Sequence, residues 1–211
     1  MALYPIQAEH RNPTGLFFLQ EGLDIEGGQV GQVVPTVADD TQPEVALFNP
    51  NATDGYGSDT ELSLVGLIDD STTGQGYGTL FGQTLALQAT EISGAIWNGP
   101  PTHRGSARAT LWMQPGLFIT DTFDGGTTPG SPTTPSGDAI DDTTPVGTPL
   151  YAEDGVLTTN KATAQVGSLL LFIDSVTDLL ASRVTPLPGF QFPASGVQGR
   201  SFILIAFKGL S

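Results

Sequence analysis

The chain has 211 residues, 22 Asp and Glu against seven Lys and Arg for a formal charge of −15, and no cysteine. That charge repels a phosphate backbone and argues against nucleic-acid binding, while the missing thiols remove disulfides, thiolate catalysis and Cys-based zinc or iron–sulfur sites. No apolar run reaches the roughly 18–20 residues of a membrane span, and the N-terminus has no run of signal-peptide length, so the expectation is a protein made in the cytoplasm with no membrane partner.

Residues 1–13 are polar, with Pro5 and Pro13 on either side of His10-Arg11. They read as an extended arm ahead of a β domain over 14–211, free to pack on a neighbour. From Thr14 the apolar segments are short and bounded by turn residues, at 15–20, 29–34, 44–48, 62–68, 78–87, 92–97, 107–112 and 116–120. This is the spacing of antiparallel strands. In ARATLWM (107–113), Ala107, Ala109, Leu111 and Met113 alternate with Arg108, Thr110 and Trp112, which predicts a half-buried strand. Asn98-Gly99 before two prolines predicts a turn, as do Asp39-Asp40, Asp54-Gly55, Asp69-Asp70, Gln114-Pro115-Gly116 and Asp124-Gly125-Gly126.

The 25 residues from Gly125 to Pro149 hold seven Thr, five Pro and five Gly, with Ala139, Ile140 and Val146 the only aliphatics. Such a stretch recovers little apolar burial against the roughly 1–2 kcal/mol of backbone entropy lost per ordered residue. It reads as a long surface loop over 124–149, and excision of 127–144 is expected to leave the core intact. Asp174–Arg183 is the helix candidate: Val176, Leu179 and Leu180 share a face, Asp174 or Ser175 can cap the start, and Pro186 and Pro188 stop it. The apolar FILIAF (202–207) predicts a central strand buried on both faces. LVGLIDDS (64–71) and LLLFIDS (169–175) share a strand-then-Asp-turn form, which leaves two similar halves open. The fold class is mainly β, an antiparallel β-barrel or sandwich with one or two short helices and a long Thr/Pro/Gly-rich loop.

Tested for chemistry, the chain offers little. No Gly-x-Ser-x-Gly occurs, and His10 and His103 are the two histidines; neither looks placed for catalysis or for a His-rich metal site. Asp54, Gly55 and Glu61 fall at EF-hand positions five, six and twelve, but Pro50 and Ala52 stand where ligands are needed. The pattern favours a solvated turn over a looser oxygen site of Asp54, Asp59 and Glu61. Gly74, Gly76 and Gly78 lack the Lys-Ser/Thr of a nucleotide loop, and Asn51-Ala52-Thr53 fits a glycosylation acceptor without a secretion signal. Trp97, Trp112, Tyr56 and Tyr77 can stack on sugar or fill a core; the low aromatic content favours the core or its rim. No enzyme, cofactor, catalytic residue or metal site is expected.

Two segments carry a family resemblance. PVGTPLYAEDGVLTTNKATAQVGSLLLFIDS (145–175) has a Gly-x-Pro-Leu-Tyr entry, an Asp-Gly turn, a Leu-Thr-Thr strand, then Gln-Val-Gly and an apolar strand. It resembles small β-barrel modules in head decoration and other virion proteins of tailed bacteriophages. QEGLDIEGGQVGQVV (20–34) is similar to the Glu-Gly…Gly-x-Val entry of the same class. Together they cover less than a quarter of the chain. The resemblance implies a virion protein that binds a capsid or tail lattice without catalysis. The leading expectation is a capsid decoration or cement protein whose partners are the major capsid protein or other virion subunits, lattice-bound or as a homo-oligomer. The alternatives are a tail or baseplate component and, from another class, a carbohydrate-binding or carbohydrate-active β protein.

Overall fold

A computed structural model describes residues 3–8, 14–19, 24–34, 44–48, 64–69, 72–73, 108–125, 139–161, 165–193 and 200–209. The fold is mainly β, with a single short helix among the described residues. Its strands are β1 (Leu3–Ala8), β2 (Thr14–Leu19), β3 (Asp24–Ile25), β4 (Val30–Val34), β5 (Glu44–Leu47), β6 (Leu64–Ile68) and β7 (Thr72–Thr73). After these come β8 (Arg108–Trp112), β9 (Gly116–Thr120), β10 (Pro149–Glu153), β11 (Val156–Thr158), β12 (Gly167–Ile173) and β13 (Phe202–Phe207). The helix, α1, spans Val176–Ala181.

Pairing sorts them into a six-stranded sheet in the order β1-β9-β13-β12-β10-β11, a small closed barrel β2-β5-β4-β6-β8, and a β3-β7 ribbon. The expected antiparallel pairing holds throughout except between β2 and β5, which run parallel with Phe18 opposite Glu44. Geometry requires such a pair: five strands cannot alternate direction all the way round a closed ring. The strands expected at 78–87 and 92–97 lie outside the described residues.

Side-chain alternation along β8 explains how the barrel meets the sheet. Successive residues face opposite sides. Leu111 fills the barrel interior with Val45, Ile68 and Met113. Trp112 points out of the barrel into a second cluster, with Val30 and Leu67 beside Phe118, Leu169, Ile203 and Ile205 of the sheet. The half-buried strand expected at 107–113 is therefore covered on both faces, since Leu111 is 0 % and Trp112 2 % exposed. The three residues after β8 carry the chain from barrel to sheet.

The far face of the sheet is closed by α1. Val176 and Leu179 pack on Ile119, Ile173 and Phe202, with Tyr4, Ile6, Val184 and Phe192 around them. Ser175 caps the helix, accepting from the Asp178 N–H at 3.2 Å. The helix is shorter than the 174–183 expected, because Arg183 adopts φ 59 and ends it before the prolines. Leu180, expected on the buried face, is 48 % exposed. The FILIAF strand lies between β9 and β12, as its continuous apolarity predicts.

Two expectations are corrected. The arm read at 1–13 contains β1, which pairs with β9 from Leu3↔Thr120 to Ala8↔Gly116. Leu3 joins the core while Tyr4 and Ile6 pack on the far face, an alternation that the two prolines obscured. Pro5 sits on an edge strand beside a register shift, where a missing N–H costs little. Its carbonyl accepts from Leu187 N–H at 2.8 Å, so that edge is partly covered. Second, the 124–149 stretch is not wholly outside the core: Ile140 is 1 % exposed and belongs to the cluster under the sheet. Excision of 127–144 would remove it. The paired segments 64–71 and 169–175 contribute one strand to a closed barrel and one to an open sheet.

Candidate functional site

Three tight turns organise the surface where barrel, sheet and the 124–149 stretch meet. Asp154 and Gly155 join β10 to β11 with φ 48 and φ 77, the pair of positive angles that a two-residue hairpin of matching twist needs. The tip of this hairpin is bound to the barrel: Val30 N–H donates to the Gly155 carbonyl at 2.7 Å, and Gly155 N–H donates to the Phe48 carbonyl at 2.9 Å. In the second turn, Gln29 N–H donates to the Glu26 carbonyl at 3.2 Å and Gly28 has φ 90. Thr122 Oγ1 donates to the Gly27 carbonyl at 2.8 Å, which binds this turn to the end of β9.

The third turn follows Ile140. Asp141 Oδ1 accepts from Thr143 N–H at 2.9 Å, from Thr143 Oγ1 at 2.7 Å and from Thr144 Oγ1 at 3.2 Å. These bonds, led by the Thr143 hydroxyl, hold the exposed Asp141 carboxyl below its ordinary range. A cleft of about 460 Å³ opens here, lined by Asp141, Thr143, Thr144, Thr148 and Thr159. Val146, at the crest of the same turn, is 71 % exposed. The segment thus presents hydroxyls, the carboxylates of Asp141 and Asp142, and the apolar Pro145 and Val146 on a backbone fixed by its own hydrogen bonds.

Behind it lie two buried acids. Asp121, 0 % exposed, accepts from Arg200 at 2.9 Å, which joins the end of β9 to the start of β13. Asp124, 5 % exposed, has one buried oxygen, Oδ2, with no hydrogen-bond partner. Burial raises its pKa, opposed by the Gly125 N–H and the Thr158 side chain and reinforced by the charge of Glu153. Burial also raises Glu26 and Tyr4, with the charge of Asp121 acting in the same direction on both.

Sequence reasoning located the turns at Asp124-Gly125 and Asp154-Gly155 but not the buried acids, since 22 acids in one chain give no sign of which are enclosed; the Asp54-Gly55 turn lies outside the described residues. Of the sugar-stacking candidates, Trp112 is in the core, its indole N–H donating to Asp69 Oδ1 at 2.6 Å. Trp97, Tyr56 and Tyr77 lie outside the described residues, as do His10, His103, Asn51, the glycines 74–78 and the Asp54, Asp59 and Glu61 set. Among the described residues no group of three metal-ligating side chains occurs, and no helix is long and apolar enough to cross a membrane. Compared with known proteins, the chain matches no family model, no curated protein and no solved structure.

Proposed function

We propose that the chain is a virion structural protein, a capsid decoration or cement protein that binds the assembled shell and adds contacts between its subunits. One observation carries the reading. The two segments that resemble tailed-phage virion proteins, 20–34 and 145–175, are more than a hundred residues apart in sequence, yet they meet at Val30 and Gly155. Segments joined by main-chain hydrogen bonds form one unit, which is what a shared module requires.

The surface supports the same use. A barrel without edges and a sheet whose outer strands are bonded to Leu187 and Asp124 offer few free strand edges among the described residues. Contact then falls to the turns, and the 141–148 turn, with Val146 exposed beside a row of threonines, is suited to add area to a shell whose subunits supply the rest. The partner is the major capsid protein or another virion subunit, and no reaction step is involved. The tail or baseplate reading rests on the same resemblance and differs in the particle bound.

Sedimentation with purified heads and with purified tails of the phage that encodes the chain tests this. The expected result is saturable co-sedimentation with heads alone. Binding to tails alone moves the protein to the tail, and binding to neither, with retention on a glycan array, supports the carbohydrate reading.

A further inference from the structure

The geometry around Asp124 leads to an inference independent of the virion reading. Asp124 lies at a neck where residues 123–125 come against residues 139–140. Its N–H donates to the Leu157 carbonyl of β11 at 2.8 Å, and its carbonyl accepts from Ile140 N–H at 3.0 Å. Phe123 bridges to Leu157 in the same place. A Cβ on Gly125 would lie 2.8 Å from the Ile140 carbonyl and 2.9 Å from its nitrogen, so the two ends of the neck are in direct contact.

The side chain at this junction is enclosed, with Oδ2 unpartnered. From β10 it faces Glu153, a charge of the same sign; β11 brings the Thr158 hydroxyl, and the returning chain brings the apolar Ala139 and Ile140. Among the described residues no cation is one of the groups shifting its pKa. An ionised carboxylate in such a setting is held at a cost that a neutral carboxyl avoids. Opening the main chain here hydrates the carboxyl at the expense of the Asp124 backbone bonds to Leu157 and Ile140, so ionisation favours the open form. We propose that Asp124 is a proton-operated latch, closing the neck firmly when its carboxyl is neutral and loosening it when ionised.

The sign follows from linkage. With the folded-state pKa raised above the unfolded value, the contribution to stability is complete below the unfolded pKa and is lost as pH rises through the folded one.

Hydrogen exchange on the full chain tests the latch. In the wild type, the protection factor of the Ile140 amide, corrected for intrinsic exchange, should fall about tenfold between about pH 4 and about pH 8. The reference is the Val166 amide, bonded to the Leu150 carbonyl at 2.9 Å. In Asp124→Asn the Ile140 protection should be flat over the same range. A flat profile in the wild type, or an equal fall in Asp124→Asn, overturns the proposal. If Asp124→Asn does not fold, the titration of the wild-type Asp124 carboxyl by NMR decides, with a midpoint above the ordinary 3.8 expected and one at or below it contradictory. Calcium that raises the wild-type melting temperature at about pH 8, but not that of Asp124→Asn, would also overturn the latch by assigning Oδ2 to a cation.

Discussion

Gly155 is hydrogen-bonded to Val30 at 2.7 Å, and through that bond the hairpin of the open sheet is locked to the first residue of β4 in the barrel. A side chain is strained at this position: φ is 77, and a Cβ would lie 2.7 Å from Leu47 Cδ2 and 3.2 Å from the Val30 carbonyl.

Gly155→Ala should therefore destabilise the fold by about 2–4 kcal/mol, combining left-handed backbone strain with overpacking. Gly147 is the control. It has φ 88, and a Cβ placed there would meet nothing within 4 Å, so Gly147→Ala carries the backbone cost alone, about 1–2 kcal/mol. Urea unfolding of the two variants should give a clear difference in midpoint at unchanged slope.

Ile140→Ala should cost about 2–5 kcal/mol, the range for truncating a large aliphatic side chain in a core. An effect below about 0.5 kcal/mol, typical of surface positions, would mean that Ile140 is not packed as described.

Arg200→Gln removes a partner of a carboxylate that is itself 0 % exposed, although Arg200 is a third exposed. Denaturant unfolding should show a loss of about 1–3 kcal/mol at neutral pH, and Asp121→Asn in the same background should recover part of it. Independent, additive losses would show that the two side chains are not coupled.

Asp141 should titrate below the ordinary aspartate value of 3.8, followed by the NMR shift of its carboxyl carbon. Thr143→Val, which deletes the hydroxyl donor, should raise the midpoint. Any contribution of Asp141 to stability is present at neutral pH and is lost as pH falls through its lowered pKa, opposite in sign to Asp124.

How much of this was readable from sequence depends on the kind of signal. Ser175 and the apolar 202–207 run are local signals, and the cap and the central strand follow from them directly. Alternation puts Leu111 and Trp112 on opposite faces and predicts a half-buried strand, because it reports one partner surface and β8 has two. β1 was hidden by Pro5, which a central strand would not tolerate but an edge does. Ile140 is one isoleucine in a Thr/Pro/Gly stretch, and only the return of the chain beside Asp124 makes it core. The unpartnered oxygen of Asp124 depends on burial, which composition does not reveal. The cleft of the 141–148 turn depends likewise on where Thr159 is brought in the fold.

The shell-binding claim is tested most directly by the heat stability of heads with and without the protein. Purified heads lacking it should release their contents at a lower temperature, and adding the wild-type chain should restore the higher one in proportion to occupancy. A variant with Val146→Asp at the exposed crest should keep the wild-type melting temperature of the free protein but bind and protect less. Heads whose release temperature is unchanged at saturating protein would contradict a cement role.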